Sequence, residues 1–124
     1  MGYRSEVVLV VDRRVEGMLV HTFTSCPAAH NLCHEQADHH ADREDAIMFQ
    51  WSGIKWYDSY PEVRAIENLM DKLDSADNIM IDGEEIDPCE MYRFVRTGED
   101  SSDIECRGYG FDGVYPYTNI NIDF

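Results

Sequence analysis

The sequence predicts an α+β domain of two layers. It is a mostly antiparallel sheet with two main helices on one face, in the order β-α-β-α followed by a β-meander. Three observations carry this expectation. Residues 7–11, VVLVV, form an unbroken β-branched-rich run, the pattern of a central strand covered on both faces. After Pro61, the residues Val63, Ile66, Leu69, Met70 and Leu73 fall on one helical face, with Glu62, Arg64, Glu67, Asn68, Asp71 and Lys72 opposite. Beyond residue 78, short segments separated by turn residues read as consecutive strands, and helices segregated from such strands are the mark of an α+β layer fold. At 124 residues the chain suits a single domain spanning 1–124, with one modest core.

The elements follow in order. Asp12 suits a helix N-cap, and residues 13–23 place Val15, Met18, Leu19 and Phe23 near helical spacing, weakened by Gly17, Val20 and Thr22. Residues 24–45 are a polar insertion with no aromatic residue and four of the five histidines. Pro27 there suits the first turn of a short helix over residues 28–37. Residues 46–57 alternate as a strand, Ile47, Phe49 and Trp51 against Met48, Gln50 and Ser52, and Gly53 marks a bulge or kink. Trp51 and Trp56 are assigned to the core. Ser59 with Glu62 three residues later is a capping-box signature. Residues 78–81 read as a short strand and Asp82-Gly83 as a turn; strands follow over residues 91–96 and 103–108. Residues 115–124 close the chain as a last strand, with Ile120, Ile122 and Phe124 on one face.

Charge excludes several function classes. The chain holds 25 acids against 10 bases, a net charge of -15, and residues 58–105 alone hold 15 acids against 4 bases. A basic nucleic-acid footprint is absent, and direct phosphate binding would work against a repulsive field. No apolar run approaches the length of a membrane span, and Arg4, Glu6, Asp12, Arg13 and Arg14 interrupt any signal-peptide core. Cys26, Cys33, Cys89 and Cys106 suit a reducing cytoplasm.

Two clusters carry candidate chemistry. Cys26, His30, Cys33, His34, His39 and His40 supply thiolates and imidazoles, the ligands zinc prefers, although their spacing matches no common finger pattern. A solvated helical excursion with incidental histidines is the competing reading. The second cluster is acidic: Asp71, Asp74, Asp77, Asp82, Glu84, Glu85, Asp87 and Glu90, then Glu99, Asp100 and Asp103. Spaced carboxylates can present phosphate-like charge to a basic surface, whereas an ordinary solvated acidic face has the same composition. A calcium loop over residues 77–85 fails for lack of the required ligand order. No catalytic constellation emerges, so no catalytic residue is assigned.

Gly2-Tyr3-Arg4-Ser5-Glu6-Val7, Trp51-Ser52-Gly53-Ile54-Lys55-Trp56-Tyr57, Tyr60-Pro61-Glu62-Val63, Phe94-Val95-Arg96-Thr97-Gly98-Glu99-Asp100 and Asp103-Ile104-Glu105 together resemble a family of small acidic phage and prophage proteins. The resemblance covers most of the chain in blocks of preserved order. Residues 24–45 depart from it. It implies a bacterial-virus origin and a bacterial cytoplasmic setting, and it brings no catalytic residues with it. The expected function is therefore a non-enzymatic accessory protein without a required cofactor. It would occlude a host protein or protein–nucleic-acid complex with a basic surface, such as a defence complex, by acidic charge mimicry. The alternative is a small zinc-stabilised binding module using residues 26–40.

Overall fold

All five residues from Val7 to Val11 are at most 1% exposed, as a strand covered on both faces requires. The computed structural model describes residues 2–111, 113–116 and 120–122. Its elements run β1 (Ser5–Asp12), α1 (Glu16–Ser25), α2 (Pro27–His34), β2 (His39–Asp42), β3 (Ala46–Ile54), α3 (Pro61–Ser75), β4 (Ile79–Ile81), β5 (Glu84–Ile86), β6 (Tyr92–Thr97), β7 (Ile104–Arg107), β8 (Val114–Pro116) and β9 (Ile120–Ile122).

Strand β1 is the middle of a five-stranded antiparallel sheet ordered β2-β3-β1-β6-β7. It pairs with β3 from Val7 opposite Trp51 to Asp12 opposite Ala46, and with β6 from Glu6 opposite Thr97 to Val11 opposite Tyr92. Alternation then divides its side chains. Val7, Leu9 and Val11 join Phe49, Trp51, Phe94 and the apolar faces of the helices in the main core. Val8 and Val10 join Met48 and Val95 on the opposite face, under Val114, Ile120 and Ile122. Burial of each such large side chain contributes about 1.5–3 kcal/mol.

Helix α3 buries Val63, Ile66, Leu69, Met70 and Leu73, the stripe expected from its spacing. Its start differs from the expected capping box: Tyr60 is the N-cap and makes no side-chain cap bond. Pro61 occupies the first helical turn and has no N–H to cap, which shifts the boundary past Ser59. At the other end of β1, the Asp12 carboxylate accepts from the Arg14 N–H (2.8 Å), and a single 3₁₀ turn, Arg13–Val15, precedes α1. Gly53 adopts φ +62°, and the β1–β3 register shifts beside it, between Ser5 and Val7: the bulge its position suggested.

Three strands differ from expectation, the first being β5 (Glu84–Ile86), which pairs with β4 where only a turn is expected. Residues 39–42, inside the polar insertion, form the edge strand β2, an element without an apolar signature because one flank meets solvent. The last strand is instead the antiparallel hairpin β8–β9, with Val114 opposite Ile122; Phe124 lies outside the described residues. Arg93 ties that hairpin down by donating to the Gly108 and Val114 carbonyls (3.0 and 3.1 Å). Gly108 has φ +82°, and a Cβ there would lie 2.2 Å from the Tyr92 carbonyl oxygen, so only glycine fits. Among the described residues, no helix is long and apolar enough to cross a membrane.

Candidate functional site

The acidic stretch does not fold into one patch. Asp71 and Asp74 stay exposed but are ion-paired, because Arg107 on β7 reaches across to α3 and binds Glu67, Asp71 and Asp74 at 2.9, 2.8 and 2.8 Å. The Tyr92 hydroxyl donates to Asp74 at 2.5 Å, and burial raises that phenol well above its ordinary range. Burial likewise pushes the Glu67 carboxyl upward, against a hydrogen bond from Trp56 Nε1 (3.2 Å) and the Arg107 charge. Neither Glu67 nor Arg107 was singled out from sequence. The signal available was the polar face of α3, but its partner lies 40 residues away.

Asp103 is also committed internally. Arg96 donates to both of its oxygens (3.1 and 2.8 Å), and the Tyr3 hydroxyl adds a third bond (2.7 Å). Those bonds hold the Asp103 carboxyl below the usual carboxylate range. Asp100 accepts from the Ser102 N–H and hydroxyl in the β6–β7 turn, and its pKa falls for that reason. Asp87 caps the 3₁₀ turn before β6 by accepting from the Cys89 N–H (3.2 Å). Glu90 and Glu99 are exposed.

Four further exposed carboxylates, Asp77, Asp82, Glu84 and Glu85, lie on or beside the β4–β5 hairpin. Asp82 (φ +52°) and Gly83 (φ +82°) make its turn, with both central residues in the left-handed region. Opposed residues share a face, so the pairing of Ile79 with Ile86 and Ile81 with Glu84 puts Ile86 in the core. The pairing of Met80 with Glu85 then faces away from it. Met80 is 67% exposed, the most exposed aliphatic side chain among the described residues. Asp77, Asp82 and Glu85 around it are exposed and make no ion pair among the described residues, and Glu84 approaches only Arg14, at 3.8 Å. The outward face of the hairpin thus carries the exposed Met80 opposite Glu85, with Asp77 and Asp82 exposed on either side of it along the chain.

A second concavity lies between α3 and the β6–β7 edge, with a volume of about 630 Å³. Tyr3, Trp56, Tyr57, Arg96, Asp103 and Glu105 line it, so the sequence blocks of the resemblance, far apart in the chain, meet here. The Tyr57 hydroxyl accepts from the Tyr3 N–H at 2.7 Å, and Arg96 also holds Glu105 (3.2 Å). Arg96 occupies Asp103 and Glu105, while Asp58 and Ser59 also line the concavity.

The six Cys and His candidates separate. Cys33 is fully buried with Ala29 and Leu32 on the core side of α2, and burial pushes its thiol far above the ordinary range. The Cys26 thiol lies 3.9 Å from the Pro61 carbonyl of α3. His39 and His40 are neighbours on β2 and point to opposite faces. The remaining three come together: His30 and His34 have ring centres 4.4 Å apart, and His34 and His40 5.1 Å. They border a cavity of about 370 Å³ floored by Leu19, Phe23, Ile47 and Phe49, with Arg13, Glu16 and Asp42 at its rim. As the side chains stand, no group of three or more His, Cys, Asp or Glu among the described residues is arranged to hold a metal ion. Comparisons with protein-family models, curated proteins and solved structures find no match for this chain.

Proposed function

We propose that this is a non-enzymatic binding protein that docks the β4–β5 hairpin on a basic macromolecular surface and occludes it. The observation that carries the reading is the exposed Met80 opposite Glu85, with Asp77, Asp82 and Glu85 exposed and in no ion pair among the described residues. Carboxylates spaced along a rigid hairpin compete for the lysines and arginines that otherwise neutralise phosphate, and they release the same counterions. The exposed Met80 side chain adds contact area that salt does not screen. In the bacterial cytoplasm implied by the resemblance to phage proteins, the partner is a host defence or nucleic-acid-processing complex.

The test compares two baits in pull-downs from bacterial lysate, the wild type and the triple variant Asp77→Lys, Asp82→Asn, Glu85→Lys. Asparagine replaces Asp82 because it tolerates the left-handed turn conformation. The expected result is a basic partner that high salt releases from the wild type and that the variant captures at least about tenfold less well. Equal capture by both baits sinks the hairpin reading, and a partner that survives high salt shifts the weight to Met80.

A further inference from the structure

We infer that His30, His34 and His40 bind one divalent transition ion of the zinc, cobalt or nickel class at the mouth of the cavity between α1, α2 and β3. The inference is independent of the hairpin reading. His30 and His34 are one turn apart on the outer side of α2, while Ala29, Leu32 and Cys33 take the core side. An i, i+4 histidine pair presents two imidazoles to one ion from a single rigid helix face. The third comes from the sheet. Pairing of His40 with Phe49 places the His40 ring on the helix-facing side, stacked on Phe49 with ring centres 4.8 Å apart.

The spacing suits the chemistry. Nitrogen–metal bonds of about 2.0–2.1 Å at a tetrahedral angle put two imidazole centres roughly 5 Å apart. His34 lies 4.4 Å from His30 and 5.1 Å from His40, centre to centre, so it stands within one ligand spacing of both. All three residues are exposed, and converging their nitrogens on one ion requires rotation of the His30 and His34 rings from their present tilt of 32°. Phe23 meets His30 and His34 edge-on, with ring centres 5.3 Å away in each case, and limits how far the rings swing outward. Arg13 already pairs with Glu16 and Asp42, which leaves the fourth position to water or to a donor entering the cavity. Three neutral ligands and a dication also suit a chain of net charge -15.

The experiment titrates untagged, chelator-treated full chain with Co²⁺ and then Zn²⁺ near neutral pH, following cobalt d–d absorption and binding heat. One equivalent is expected, displaced by zinc. His34→Ala and His40→Ala should each weaken binding at least about tenfold, with His39→Ala and Cys26→Ser unchanged. Circular dichroism checks that each variant is folded, and histidine ring resonances of the wild type, followed during the zinc titration, give a readout without substitution. Less than half an equivalent overturns the site. So does equal weakening by His39→Ala, or loss on Cys26→Ser.

Discussion

Asp103 makes its contribution through charge, and pH reveals the sign. Its hydrogen bonds from Arg96 and Tyr3 depress its folded pKa. A carboxyl depressed on folding stabilises above its unfolded value of about 3.9, and the contribution disappears as pH falls through the folded value. Asp103→Asn should therefore unfold at a lower temperature than the wild type at neutral pH, and the gap should close below about pH 4. Thermal melts at a series of pH values check this; a gap that persists into acid would contradict it. Other single residues show where type alone misleads. Cys33 reads as a metal ligand in a Cys/His list, yet it shares the spacing of Ala29 and Leu32 and behaves as a small hydrophobe. Asp71 and Asp74 read as free charge, because nothing local in the sequence announces that Arg107 will arrive from β7.

Elements with strong periodicity were legible, and those that depend on partners were not. Strand β1 and helix α3 follow from apolar spacing, and the β4–β5 turn follows from Asp82-Gly83. Strand β2 was hidden because its residues, His39–Asp42, gain their conformation by pairing with β3 rather than from any preference of their own. The hairpin β8–β9 was read as one strand for a related reason, since both halves carry apolar residues for the same face of the sheet. Helix α1 offers an independent test. Gly17 sits in its first turn, and a Cβ there meets nothing within 4 Å. Gly17→Ala should stabilise the protein by roughly 0.5–1 kcal/mol, through helix propensity and a less flexible unfolded chain. Urea unfolding measures it, and a destabilised variant would contradict the open surroundings of that position.

For the molecule as a whole, charge was the most legible property and its distribution the least. The net charge of -15 follows from counting. Which carboxylates remain free follows only from the fold, which spends several on Arg96 and Arg107 and leaves others on the β4–β5 hairpin. The concavity lined by Tyr3, Trp56 and Arg96 was equally hidden, because three distant segments build it. Ion pairs weaken with salt, whereas self-repulsion in a strongly acidic chain is relieved by it. With acids in such excess, repulsion should win, so the melting temperature should rise from low salt to about 0.5 M NaCl, where the screening length is only a few ångströms. Scanning calorimetry across that range checks the sign, and a fall would mean that the arginine networks dominate.

The central position of β1 also sets a timetable. Val7 to Asp12 pair with β3 on one side, but on the other side Glu6 to Val11 pair with Tyr92 to Thr97. At ribosomal rates of about 5–20 residues per second, the stretch from the end of β3 to the end of β6 takes roughly 2–9 s to emerge. Throughout that interval the most apolar strand of the protein has one hydrogen-bonding edge open, with its valines waiting for a partner not yet made. A nascent chain stalled before β6 is complete would carry a template for association with other strands. The same placement that buries β1 so thoroughly in the finished protein makes it the segment most in need of protection during synthesis.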